Sequence, residues 1–176
     1  MADAPDDRIV RDIRALIALA VDRLAAANAH DEALAEFVPP KRVLLFTKDA
    51  VMKPLGRVWR LGVFLLGHDG TLYRVGSTTR AVAPGHSGYQ SVSAENRRSY
   101  RAAAYKGKFA RGETVNFDAE PIELDAAILR ASDGPLFLRA DTPMVRWNPT
   151  TTDAAVPLAG YLDERIGLLL NPPAGT

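Results

Sequence analysis

Between residues 6 and 27 the apolar positions recur at intervals of three and four. Ile9, Ile13, Leu16, Ile17, Ala20, Val21 and Leu24 fall on one stripe, with Asp12, Arg14, Asp22 and Arg23 largely off it. No Gly or Pro interrupts residues 6–37, so the spacing predicts a long amphipathic helix with Asp6 or Asp7 in its N-cap region. The pattern breaks near Asn28-Ala29-His30, and the segment from Asp31 to Pro39-Pro40 reads as a short second helix.

The period then shortens. RVLLF at 42–46, RVWRLGVFLL at 57–66 and TLYRV at 71–75 read as strands. The last two are joined by Gly67-His68-Asp69-Gly70, where Asp-Gly suits the positive φ of a tight hairpin turn. From Ser77 to Gly112 comes an excursion: a loop rich in Gly, Ser and Thr, then SAENRRSYRAAAYK at 93–106, read as a helix with Ser93 as N-cap and Gly107 as its stop. Strand-like runs resume with TVNFD at 114–118, PIEL at 121–124, AILRA at 127–131 and PLFLR at 135–139, with Asp133-Gly134 as a second hairpin turn. MVRW at 144–147 is a further strand, and YLDERIGLLL at 161–170 reads as a terminal helix, with a strand as the alternative, before Asn171-Pro172-Pro173. DGTLYRV at 69–75 resembles DGPLFLR at 133–139, which raises an internal duplication, although Asp-Gly turns beside apolar strands recur by chance.

These elements predict one α+β domain over residues 1–176, with disordered ends at 1–5 and 172–176. Its sheet is mostly antiparallel, barrel-like closure being an option, and is covered by the long N-terminal helix, with 77–112 as a helix-bearing excursion. Hairpins outnumber strand–helix alternations, which argues against a doubly wound parallel fold.

Composition narrows the chemistry. The 176 residues contain no cysteine, which removes disulfides, thiolate metal sites and cysteine nucleophiles and suits a reducing cytoplasm. The acidic start MADAPDDRIV is unlike a secretory signal, and the most apolar runs, LGVFLLG at 61–67 and IGLLLNPP at 166–173, are far short of the ~20 residues of a membrane helix. A soluble cytoplasmic protein without a membrane partner is expected. The net charge of +1 conceals an uneven distribution: residues 41–111 hold fourteen Lys and Arg against three acids, and both flanks are acidic.

That basic centre carries the main functional expectation. On a helical projection of 94–106, Arg101 lies 40° from Arg97, Tyr105 80° and Arg98 100°, at about 100° per residue, while Asn96, Tyr100 and Ala103 fall nearly opposite. Like charges so placed repel unless an anion lies among them. Arg80 precedes the helix, and Lys106, Lys108 and Arg111 follow, with Phe109 available for stacking. The expected function is a non-catalytic binding module that engages an anionic partner, such as nucleic acid or another polyanion, through Arg97, Arg98, Arg101, Lys106, Lys108 and Arg111. The opposing reading is a solvated face, or one compensated by the acidic flanks. Two other functions remain: an enzyme acting on a phosphorylated small molecule with the arginines as anion clamp, and a protein–protein interaction module in which the 77–112 excursion meets an acidic partner.

Other constellations weaken on inspection. PGHSGYQS at 84–91 begins like a GxSxG nucleophile elbow around Ser87, but Tyr89 stands where the closing glycine belongs and no histidine follows Ser87. Asp118, Glu120, Glu123 and Asp125 crowd one segment and could serve as base or metal ligands, although Pro121 separates them. His30, His68 and His86 form no metal-binding spacing, and the glycines at 56, 62, 67, 70 and 76 match neither GxGxxG nor a P-loop. No cofactor and no metal is expected. Trp59 and Trp147, both on strands, are expected in the core.

Overall fold

The computed structural model describes residues 5–43, 46–84, 91–148 and 154–173. The chain forms two compact units, one of Met1–His30, Trp59–Arg74 and Glu120–Thr176, the other of Asp31–Val58 and Val75–Ala119.

In chain order the elements are α1 (Pro5–Ala26), β1 (Glu32–Val38), β2 (Lys41–Val43), β3 (Phe46–Lys48), β4 (Val51–Leu61), β5 (Phe64–Gly67), β6 (Leu72–Arg74) and β7 (Ser77–Arg80). They continue with α2 (Val92–Lys106), β8 (Thr114–Phe117), β9 (Glu120–Pro121), α3 (Ala126–Ala131), β10 (Leu136–Arg139), β11 (Thr142–Arg146), β12 (Ala155–Pro157) and α4 (Leu158–Leu170). The fold is α+β with a mostly antiparallel sheet and a long N-terminal helix, as the periodicities predict. The strand order runs from β7 at one edge to β9 at the other, so the sheet is open and not a barrel.

In the first unit, α1 buries Ile9, Ile13, Ile17, Ala20 and Leu24, the core of the predicted stripe. Asn28, with φ of 47°, turns the chain out of the helix, and the N–H of Ala29 reaches back to the carbonyl of Leu24 at 3.0 Å. The stripe packs with Trp59, Leu61, Phe64, Leu66 and Leu72 from the strands and Leu158, Tyr161, Leu162 and Ile166 from α4. The residues of 57–66 are not one strand: Gly62, at φ 65°, turns the chain between β4 and β5. The Asp69-Gly70 hairpin forms as expected, with Gly70 at φ 82° and Asp69 accepting both the N–H and the hydroxyl of Thr71 at 2.9 Å. These two bonds hold the Asp69 carboxyl below the ordinary carboxylate range.

Three further local expectations fail in this unit. AILRA is not a strand but lies in α3, because Asp125 caps the helix by accepting the N–H of Ile128 at 3.0 Å. With a helix before it, Asp133-Gly134 is no hairpin turn; β10 and β11 are joined instead through Ala140, at φ 53°. The two Asp-Gly segments therefore follow different elements, which removes the local basis for a duplication. PIEL contributes only Pro121 to β9, an edge strand, where a residue without an N–H leaves no ladder bond unmade.

In the second unit the strand order is β7, β8, β1, β4, with β1 and β8 parallel and the other pairs antiparallel. The segment read as a second helix is β1. Its Ala, Glu and Leu residues favour a helix locally, but pairing on both sides overrides that preference. β2 and β3 form a separate hairpin. Ala33 and Ala35 of the sheet meet Ala103 and Ala104 of α2, with Val115, Phe117 and Met52 completing the core; small side chains let the helix approach the strands closely. The α2 helix matches the predicted span, but Ser91 rather than Ser93 is its N-cap and makes no side-chain capping bond. Among the described residues no helix is long and apolar enough to cross a membrane.

Candidate anion-binding cleft

All six predicted anion contacts lie in the second unit, and the structure divides them. Arg97 and Arg101 stand one turn apart on α2 and line a cavity of about 380 Å³ with Tyr100 of the same helix. The strands complete it: Thr78, Thr79 and Arg80 come from β7 and Thr114 from β8, the last being the direct register partner of Arg80. Val82 adds an apolar wall. Tyr100 is fixed by ring contacts, edge-on to Phe37 at 5.0 Å and tilted against Phe117 at 4.8 Å, so the helix carrying Arg97 and Arg101 is anchored to the sheet between them.

The remaining predicted contacts are elsewhere or already engaged. Lys106 is ion-paired with Asp49, and Arg111 lies 6.0 Å from the ring centre of Tyr105. Arg98 is half-buried and Lys108 exposed, and neither lines the cleft.

Electrostatics set the cleft apart. Among the described residues its lining holds three arginines and no carboxylate. The side chains of Arg80, Arg97 and Arg101 make no ion pair or hydrogen bond among the described residues. The contrast within the unit is Arg57, whose guanidinium donates to Asp31 Oδ1 from Nε at 3.0 Å and from Nη2 at 2.6 Å, and also to Glu113. This fork raises the Arg57 pKa further above its ordinary value. Burial pushes the Glu113 carboxyl up, but the bonds from Arg57 and from the N–H of Ala110 outweigh it and hold Glu113 below its usual range. Glu113 neighbours Thr114, yet its charge is taken up by Arg57.

Two of the four carboxylates expected at 118–125 have structural partners. Asp125 caps α3, and Glu120 pairs with Arg74 at 2.9 Å. Asp118 sits in a left-handed turn at φ 54°. No group of three or more His, Asp or Glu able to hold a metal occurs among the described residues. Ser87 and His86 lie outside the described residues. His68 stacks on Trp59 with ring centres 4.0 Å apart. Trp59 is buried as expected, whereas Trp147 is 45% exposed.

A larger cavity, about 540 Å³, lies in the first unit, with Arg14, Asp22, His68 and Asp69 around a floor that includes Ile17 and Leu72. Its rim carries both signs of charge, Arg14 against Asp22 and Asp69, so it lacks the uniform sign of the smaller cleft. Sequence reasoning located Arg97 and Arg101, but it missed the threonines, because only the β7–β8 register brings Thr78, Thr79 and Thr114 together. No protein-family model matches the chain, and neither curated proteins nor solved structures offer a similar one.

Proposed function

We propose that this protein is a non-catalytic anion-binding module and that its ligand enters the cleft between β7 and α2. The observation that carries this reading is a concave site whose described lining has three arginines, three threonines and no carboxylate. Guanidiniums held near one another repel, and the repulsion grows where protein excludes water; an anion placed among them converts that cost into charge-assisted hydrogen bonds. A volume of about 380 Å³ falls within the roughly 300–1,000 Å³ of small-molecule sites. That size favours a compact anion over a nucleic-acid duplex, and the diversion of Lys106 to Asp49 and of Arg111 to Tyr105 shortens the positive surface a long polyanion would track.

Isothermal titration with pyrophosphate and with a single-stranded oligonucleotide, each at several salt concentrations, tests the reading. Pyrophosphate binding that disappears in Arg97→Gln/Arg101→Gln supports a compact-anion site. Oligonucleotide binding with a salt slope of several phosphates, about 0.7 per phosphate for a single strand, and no pyrophosphate binding would replace it with a polyanion surface. Absence of both at low salt would remove the anion-binding role.

A further inference from the structure

Resting on that reading, we infer that the ligand presents a terminal phosphate, a phosphomonoester dianion, rather than a phosphodiester, sulfate ester or carboxylate. Three arginines line the cleft, and no acidic residue does among the described residues. A carboxylate or phosphodiester brings one negative charge and leaves the site strongly positive. A phosphomonoester brings about −1.5 to −2 at pH 7 and three terminal acceptor oxygens. Those oxygens match the donor set, since guanidiniums offer paired N–H groups and the hydroxyls of Thr79 and Thr114 can each donate once. The organic remainder of the ester has a counterpart in the apolar side of the same cleft, formed by Val82 and the ring of Tyr100.

The inference has a titration signature that belongs to the ligand. The described lining supplies Arg80 from β7, Arg97, Tyr100 and Arg101 from α2, and threonines from β7 and β8. That described lining contains no His, Asp or Glu, whereas a phosphomonoester changes charge between about pH 5 and 8, with its second pKa near 6.

Phenyl phosphate, phenyl sulfate and dimethyl phosphate, titrated calorimetrically at pH 7.5 and pH 5.0, provide the test. Phenyl phosphate should bind most tightly and weaken about tenfold at pH 5.0, where only about a tenth of it remains dianionic. Phenyl sulfate keeps its single charge throughout and reports any titration of the protein itself. Arg101→Gln should erase the preference for phenyl phosphate; because Arg101 is exposed, the variant is expected to keep its melting temperature. Equal affinities for phenyl phosphate and phenyl sulfate, or a parallel pH response of the two, would overturn the phosphomonoester assignment and leave the anion-binding reading standing. Failure of all three probes together with pyrophosphate would overturn both.

Discussion

The phenol of Tyr161, on α4, accepts the backbone N–H of Val63 at 2.9 Å and donates to the carbonyl of Leu61 at 3.2 Å. One side chain thus satisfies both polar groups of the tight turn between β4 and β5. The turn needs Gly62, whose φ is 65° and whose missing Cβ would fall onto the phenol oxygen. Tyr161→Phe should cost roughly 1–3 kcal/mol, the range for leaving a buried polar group unmatched. Gly62→Ala should cost at least as much, since it combines left-handed strain with a steric conflict. Urea unfolding with an unchanged m-value would register both; a Tyr161→Phe protein as stable as the parent would show that water replaces the phenol.

The cap on α3 is a separate local device. Asp125→Ala should destabilise by about 1 kcal/mol and Asp125→Asn by much less, because asparagine also accepts the N–H of the third helical residue. Thermal melts of the two variants check the order, and equal losses would point to charge rather than capping.

Acid sensitivity should arise partly at Glu113 and Asp69. Both carboxyls are held below their ordinary values in the folded chain, so the unfolded state takes up protons first as pH falls. Their stabilisation is complete above the ordinary carboxylate pKa, about 4, and is lost as pH drops through the lower folded values. The melting temperature should therefore decline between about pH 5 and pH 2, and Glu113→Gln should flatten that decline. The same variant should lose roughly 1–2 kcal/mol at pH 7, as expected for a hydrogen-bonded charge pair at a partly exposed site.

Arg101 and Lys106 lie on the same helix and carry the same charge, but only the first lines the cleft. Arg101→Gln should weaken pyrophosphate binding at least tenfold, whereas Lys106→Gln should change it by less than twofold. Comparable losses in both would mean that the whole helix face, not the cleft, attracts the anion.

Legibility from sequence followed the distance over which each feature is decided. The stripe of α1 was readable because Ile9, Ile13 and Ile17 express the helical period locally, and the Asp69-Gly70 turn because its backbone requirement sits in two residues. β1 was not readable, since EALAEFV favours a helix and becomes a strand only by pairing with 51–58 on one side and with Val115 and Asn116 on the other. α3 was missed although its signal was present: Asp125 stands three positions before the N–H it caps. Within the site, the spacing of Arg97 and Arg101 was visible on a helical projection. The removal of Lys106 was not, because its partner Asp49 is 57 positions away.

The arrangement of α1 and α4 has a consequence for biosynthesis. Arg23 and Asp163 meet at 2.7 Å across 140 positions of chain, and the apolar stripe beside Arg23 shares its core with Leu158, Tyr161 and Ile166. During translation the first helix emerges before the strands that share its core and well over a hundred residues before the end of α4, so the part of its oily side that meets α4 waits longest. A chaperone that shields a nascent amphipathic helix would therefore raise the yield of this protein most by acting before α4 appears.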